Sequence, residues 1–105
     1  MSLSEQEFRV RSDEALDGAR HALLPLADQE GFEVELQNGV LNLVFEEPSE
    51  TKFVISPNAP VRQVWVSAMA RSYKLAWVPD TQAFVLGDET LPQLLERLTR
   101  EFLSR

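Results

Sequence analysis

The central part of the chain, residues 32–86, consists of short segments separated by turn residues, and this pattern constrains the fold most. In residues 32–36, Phe-Glu-Val-Glu-Leu, apolar and acidic side chains alternate strictly, as they do in a strand with one buried face. Asn38-Gly39 follows, which is the strongest short signal for a hairpin turn. Because strands joined by tight turns must run antiparallel, the pattern predicts an antiparallel sheet.

The same alternation predicts six strands, at residues 32–36, 40–45, 52–56, 61–68, 72–78 and 83–86. In the second strand, Leu41, Leu43 and Phe45 are expected to point inward. In the fifth strand, Tyr73, Leu75 and Trp77 are expected to share one side. The segment Pro57-Asn58-Ala59-Pro60 is predicted to be a loop, since proline removes a backbone donor from any strand ladder.

A helix is predicted on each side of the strands. Ser4 and Glu7 form a capping-box pattern that begins a helix reaching about Asp28, with Gly31 ending the helical region. Pro25 is expected to kink this helix or end it early. Thr90 and Gln93 form a second box, with proline in the first turn. The apolar faces are Ala15, Leu16, Ala19, Ala22, Leu23, Leu26 and Ala27 in the first helix, and Leu91, Leu94, Leu95, Leu98 and Phe102 in the second.

Two terminal helices on one face of a six-stranded antiparallel sheet make a two-layer sandwich of the α+β class, with the other sheet face open to water. The chain has 105 residues, so we expect a single domain over residues 1–105.

The charge and cysteine content exclude several function classes. The chain has 10 Lys and Arg against 17 Asp and Glu, a net charge of −7 that disfavours nucleic acid and anionic membranes and favours basic protein surfaces and cations. It has no Cys, which excludes disulfides, thiol catalysis and an iron–sulfur cluster held on its own thiolates. No apolar run is long enough to span a membrane, and the first ten residues lack a signal pattern, so we expect a cytoplasmic protein.

Acidic residues form a stripe along the predicted first helix and strand. Asp13, Asp17 and His21 are spaced four apart on the face opposite the apolar one, and the charge continues through Glu14, Asp28, Glu30, Glu33 and Glu35. Carboxylates suit Fe(II), Mn(II), Mg(II) or Ca(II), and an exposed row would bind them weakly. The alternative is a solvated helix face on which Arg20 pairs with Asp17. His21 is either a metal ligand or an ordinary surface residue.

Trp65 is the second candidate site. If Val64 and Val66 point to the core, then Trp65 lies with Gln63 and Ser67 on the open sheet face, where a large aromatic side chain is typical of a protein interface. The alternative is that the faces are reversed or that a loop covers the ring.

Two blocks of the sequence resemble the frataxin family, especially its bacterial members. These are Asn38-Gly39-Val40-Leu41-Asn42-Leu43-Val44-Phe45 and Pro60-Val61-Arg62-Gln63-Val64-Trp65-Val66-Ser67. The element order and the closing helix, with its Thr90-Leu91-Pro92-Gln93-Leu94-Leu95 start, match as well. The resemblance covers nearly the whole chain and implies a frataxin-like fold.

The resemblance also implies a function and a set of site residues. It implies an iron-binding accessory and regulatory protein of iron–sulfur cluster assembly that docks on a cysteine desulfurase and its scaffold protein, as a monomer or an iron-dependent oligomer. Iron, as Fe2+ or Fe3+, would bind weakly at an acidic ridge. The ridge would comprise Asp13, Glu14, Asp17, Asp28, Glu30 and Glu33, and Asn38, Gln63 and Trp65 would bind the partner.

The sequence departs from the family pattern at two places. Ridge positions that are often acidic carry His21, Leu24 and Pro25, and Ser56-Pro57-Asn58 replaces an Asn-x-Gln stretch. The residues leave two other functions open. One is a metal-independent, acidic protein-binding or chaperone-like module. The other is a ferroxidase, which would need a preorganised two-metal carboxylate site.

Overall fold

The structure, a computed structural model, describes residues 3–105. Met1 and Ser2, which begin the predicted domain, lie outside the described residues. The elements in chain order are α1 (Glu5–Glu30), β1 (Glu33–Gln37), β2 (Val40–Phe45), β3 (Thr51–Asn58), a 3-10 turn (Ala59–Val61), β4 (Gln63–Ala68), β5 (Arg71–Val78), β6 (Ala83–Leu86), β7 (Glu89–Thr90) and α2 (Leu91–Leu103).

Helix α1 begins and ends where its capping residues predict. The Glu7 backbone N–H donates to Ser4 Oγ at 3.1 Å, and the Ser4 N–H donates to Glu7 Oε1 at 3.3 Å. Gly31 ends the helix with a φ of 80°, a left-handed conformation that glycine adopts at little cost.

Of the two outcomes expected at Pro25, a kink or an early end, the early end is wrong. The helix continues to Glu30, because Leu26 and Ala27 on the following turn are buried and hold it against the core. Pro25 itself is exposed, so its ring displaces no core side chain. Ala22 is also exposed, although the periodicity placed it on the apolar face. The buried arc of α1 is narrower than the sequence pattern indicates.

All seven strands form one sheet in the order β1-β2-β3-β4-β5-β6-β7, and every neighbouring pair is antiparallel. The Asn38-Gly39 turn has the predicted hairpin geometry, with φ values of 52° and 76°. The seventh strand, Glu89–Thr90, is additional to the six predicted. It pairs with β6 through Val85↔Thr90 and Leu86↔Glu89.

The connection between β3 and β4 differs from the predicted loop. Strand β3 continues through Pro57 to Asn58, and a 3-10 turn follows at Ala59–Val61. Arg62 then takes a left-handed φ of 54°, so β4 begins at Gln63 rather than at residue 61. Both α1 and α2 contact the same face of the sheet, and they contact each other. The α+β sandwich is therefore confirmed.

The core lies between the sheet and the two helices. Leu41, Leu43 and Phe45 of β2 are buried as predicted, and so is the whole apolar stripe of α2. One end of the core is aromatic: the Phe45 ring centroid lies 4.8 Å from Phe32 and from Phe102, and 4.9 Å from Phe53. Over residues 3–105, neither helix is long and apolar enough to cross a membrane.

Candidate functional site

The seven candidate metal-binding residues are six positions of α1 and Glu33 at the start of β1. We call this set of residues the acidic ridge. All seven side chains are exposed: Asp13, Glu14, Asp17, His21, Asp28, Glu30 and Glu33. For the five residues from Asp13 to Asp28, exposure follows from the 3.6-residue period of α1, whose opposite face is buried. Glu30 is in the last turn, beside Arg100 and Leu103 of α2. The alternation of β1 turns Glu33 away from the helices.

Arginines already neutralise part of the ridge. Arg20 Nη2 lies 3.2 Å from Asp17 Oδ1, so the pairing expected for a solvated helix face is present. The other Asp17 oxygen lies 3.5 Å from His21 Nδ1. Arg11 Nη1 lies 3.2 Å from Glu14 Oε1. A cation approaching Asp17 or Glu14 therefore competes with a guanidinium group for the carboxylate.

The remaining ridge carboxylates offer oxygen ligands without such competition. Asp13, Asp28, Glu30 and Glu33 form no ion pair within residues 3–105. Across the same residues, no three His, Asp or Glu side chains converge as a ligand set. The arrangement suits weak, exchangeable contacts with hard or borderline cations rather than a preorganised metal centre.

Trp65 lies on the sheet face opposite the helices. Its neighbours Val64 and Val66 are fully buried, and the Trp65 ring is half-buried. The indole Nε1 donates to Gln63 Oε1 at 2.9 Å. Lys74 Nζ lies 4.8 Å from the ring centroid, within the range of a cation–π interaction. These contacts hold the indole in one orientation while leaving part of it accessible.

The surface around Trp65 follows from the strand register. Trp65 pairs with Ser56 on one side and Lys74 on the other. Directly paired residues point to the same face, so the small side chain of Ser56 lies on one side of the indole and the ammonium group of Lys74 on the other. Asn38 is exposed in the β1–β2 turn, at the end of the sheet where β4 begins. We call Gln63, Trp65 and Lys74 the tryptophan face.

Sequence reasoning missed Lys74 and the ion pairs of α2. Arg97 donates to Glu89 through Nε at 2.7 Å and Nη2 at 2.9 Å, and to Glu101 through Nη1 at 2.9 Å. The bidentate hydrogen bond from Arg97 lowers the pKa of Glu89 below its usual 4.5. The signal for Glu101 was its four-residue spacing from Arg97. No pattern in the sequence pairs Arg97 with Glu89, because Glu89 precedes the N-cap residue Thr90 and lies outside α2.

A comparison with protein families identifies the chain. The family model for the frataxin-like domain matches residues 1–105. The chain belongs to the frataxin-like family. The resemblance in the hairpin and in the Gln63-Val64-Trp65 block is thereby confirmed.

Curated relatives agree with this family membership. The chain is 30% identical to the iron-sulfur cluster assembly protein CyaY of Pseudomonas syringae pv. syringae (strain B728a), covering 96% of this chain and 90% of the relative. It is 31% identical to the CyaY protein of Ectopseudomonas mendocina (strain ymp), with the same coverage. Among solved structures, the frataxin from Psychromonas ingrahamii superposes with a TM-score of 0.66 at 16% identity, over 97% of this chain and 90% of that one. This last likeness supports the frataxin-like fold.

Proposed function

We propose that this frataxin-like chain is an iron-binding accessory and regulatory protein of iron–sulfur cluster assembly. It acts in the cytoplasm, as a single domain over residues 1–105, on a complex of a cysteine desulfurase and a scaffold protein. The names of its CyaY relatives, which are iron-sulfur cluster assembly proteins, support the assembly role. Because the chain has no Cys, it cannot supply the thiolates that hold a cluster, so its role is accessory rather than that of the scaffold.

One observation carries the proposal: the fold exposes two chemically different surfaces on opposite layers. The α1 residues of the acidic ridge lie on the helical layer, Glu33 lies on the edge strand β1, and the tryptophan face lies on the open face of the sheet. The ridge carries negative charge that attracts Fe(II) and a basic protein surface. The half-buried Trp65 is of the residue type that most often anchors a protein interface.

The role proposed for the ridge is loose iron binding, with iron as cargo rather than as a resident cofactor. The oxygen donors fit Fe(II), and the exposure of every ridge side chain fits fast exchange. We propose no enzymatic reaction. The chain acts as a monomer, or as an oligomer when iron is bound.

The iron-binding part is tested by anaerobic titration of the full chain with Fe(II), followed by backbone NMR. Signals of Asp13, Asp17 and Glu33 should shift or broaden first. The double variant Asp13→Asn/Asp17→Asn should lose these changes, and Asp80→Asn, in the exposed β5–β6 turn, should keep them. Changes spread evenly over all exposed carboxylates would refute the ridge as the iron site.

A metal-independent, acidic protein-binding module is the second candidate function. The arginine partners of Asp17 and Glu14 favour it, because they satisfy two ridge carboxylates without any metal. In this function the acidity serves only long-range attraction of a basic partner.

A co-purification experiment separates the two functions. The tagged full chain is recovered from its native cytoplasm, with metal chelator present or absent, and a cysteine desulfurase is sought in the eluate. If iron matters, Trp65→Ala and Asp13→Asn/Asp17→Asn should both reduce recovery, and Ser67→Ala, beside Trp65 on β4, should not. Loss with Trp65→Ala alone, with no effect of chelator, favours the metal-independent module. Failure to recover any desulfurase with the unaltered chain refutes the proposed partner.

A further inference from the structure

A cavity of about 290 Å³ lies between α1, the β5–β6 hairpin and the first turn of α2. It shares only Glu14 with the acidic ridge, and the tryptophan face lies on the other side of the sheet. Trp77 and Phe84 form its aromatic wall, with ring centroids 5.2 Å apart and ring planes at 64°. An apolar wall of this kind is typical of sites for small organic ligands.

The opposite wall is formed by the small residues Ala15, Gly18 and Ala19 of α1. A Cβ atom built on Gly18 would meet nothing within 4 Å, so the space beside this residue is open. Gly18 lies inside a helix, where glycine costs about 1 kcal/mol relative to alanine. No neighbouring atom in the fold requires that glycine.

The positively charged side chain of Arg11 lies at the rim of the cavity. The Arg11 guanidinium carbon lies 5.6 Å from the centre of the Trp77 ring, and its Nη1 contacts Glu14 Oε1. Because Arg11 already occupies the cation position over Trp77, the cavity does not suit a second cation. It suits a molecule with an aromatic body for the apolar wall and an anionic group for Arg11. The positive end of α2, which lines the same cavity at Thr90–Pro92, adds to this preference.

We propose that the cavity binds a small aromatic carboxylate, with its ring against Trp77 and Phe84 and its carboxylate on the guanidinium of Arg11. The volume is sufficient, since a cavity of about 150 Å³ accommodates a benzene molecule in another protein. Arginine presents paired N–H donors that match a carboxylate. On binding, Arg11 exchanges the Glu14 carboxylate for that of the ligand.

The experiment uses 4-fluorobenzoate as the probe and the full chain as the receptor, with binding followed by 19F NMR. Binding at millimolar concentration is expected, together with shifts of the Trp77 indole N–H and the Gly18 amide. The uncharged 4-fluorobenzyl alcohol should bind about tenfold more weakly, because it loses the charge-assisted hydrogen bond to Arg11. Absence of binding by the unaltered chain, or equal binding of both probes, would overturn the proposal.

Three substitutions locate the site. Gly18→Leu fills the cavity and should abolish binding while raising the thermal stability of the helix. Arg11→Gln should weaken binding about tenfold. Glu14→Gln, which frees Arg11, should strengthen it about twofold. Gln29→Leu, at an exposed site three turns along α1 that does not line the cavity, is the control and should bind like the unaltered chain.

The substitutions also supply the decisive negative results. Undiminished binding by Gly18→Leu would overturn the assignment to this cavity. If Gly18→Leu failed to fold, the opposite effects of Arg11→Gln and Glu14→Gln on affinity would still test the proposed site. These two variants should fold, because Arg11 is only partly buried and Glu14 is exposed. Changes in the same direction for both would overturn the role of Arg11.

Discussion

Lys74 places its Nζ 4.8 Å from the centre of the Trp65 ring, directly across from it on the neighbouring strand. The indole N–H is engaged at the same time by Gln63 Oε1 on its own strand. Both polar partners of Trp65 come from the sheet itself, so the ring is oriented before any partner arrives. An anchor that is already oriented loses less side-chain entropy on binding.

The Trp65–Lys74 pair should contribute measurably to stability. In a double-mutant cycle with Trp65→Leu and Lys74→Met, we expect a coupling energy of about 0.5 kcal/mol, because the pair is half exposed. Urea unfolding of the four proteins measures it. The same cycle with Trp65 and Lys52 is the control and should give no coupling. A coupling of zero for Trp65 and Lys74 would show that the ring and the ammonium group do not interact in solution.

Arg20 should weaken cation binding at the ridge. Removing its guanidinium, 3.2 Å from Asp17 Oδ1, frees that carboxylate, so Arg20→Gln should raise the affinity for Fe(II) about threefold. Anaerobic titration measures the affinity. Arg71→Gln, on exposed β5, makes the same change in net charge away from the ridge. An equal gain with Arg71→Gln would mean that net charge, rather than the Asp17 site, sets the affinity.

The Glu89–Arg97 pair should make stability depend on pH in the acid range. Its hydrogen bonds lower the pKa of Glu89 below 4.5, so the folded chain holds the proton of Glu89 less tightly than the unfolded chain does. The resulting stability is fully present above about pH 4.5 and is lost as the pH falls through the lower folded pKa.

Urea unfolding of the wild type and Glu89→Gln at several pH values measures this effect. The variant should be less stable at neutral pH, and the difference should shrink below about pH 4 and in high salt. Glu50→Gln, at an exposed carboxylate with no ion pair among residues 3–105, should show no such trend. A difference that stays constant with pH would contradict the ion-pair explanation.

Pro25 should lower the stability of α1. It lies inside the helix with an exposed ring, and it cannot donate the backbone hydrogen bond expected to the carbonyl of His21. We expect Pro25→Ala to raise the free energy of unfolding by about 2 kcal/mol, after allowing for the greater freedom of the unfolded chain. Thermal unfolding checks this, and Gln29→Ala in the same part of α1 should change it little. A loss of stability would show that the proline ring packs in solution.

A glycine at position 70, in the β4–β5 turn, should raise the stability of the fold. Met69 and Ala70 have φ values of 52° and 64°, which are unfavourable for residues with a Cβ. Ala70→Gly should therefore stabilise the fold by about 1 kcal/mol. Ala76→Gly, at an exposed site on β5, should destabilise it by a similar amount. Chemical denaturation compares the two, and a stability loss in both would contradict the turn geometry.

Local patterns predicted most of the fold. The Asn38-Gly39 turn and the alternation in β2 depend on neighbouring residues, and so does the Ser4 capping box, so each could be read directly. Strand β7 could not be predicted in this way, because a two-residue strand is too short to show an alternating pattern. Its second residue, Thr90, is also the N-cap of α2. An early end of α1 at Pro25 does not occur, because the burial of Leu26 and Ala27 outweighs the local cost of Pro25.

The candidate site also has features that local sequence predicts and features that it does not. Exposure of the ridge from Asp13 to Asp28 follows from the helical period, and the Arg20–Asp17 pair follows from spacing along one helix. The Trp65–Lys74 contact depends on the register of β4 and β5. That register is set by a turn at Met69 and Ala70, which carries no Asn or Gly to mark it. Contacts across such a turn require the three-dimensional structure.

The two borders of the sheet resist pairing with other chains in different ways. On one border, β1 presents the exposed carboxylates of Glu33 and Glu35 beside its outermost backbone groups. On the other, β7 is only two residues long and passes directly into α2. Charge repels an incoming strand at the first border, and the second has too little backbone to template one. Both borders thereby protect the sheet from polymerising edge to edge, and its open face remains free of other copies of the chain.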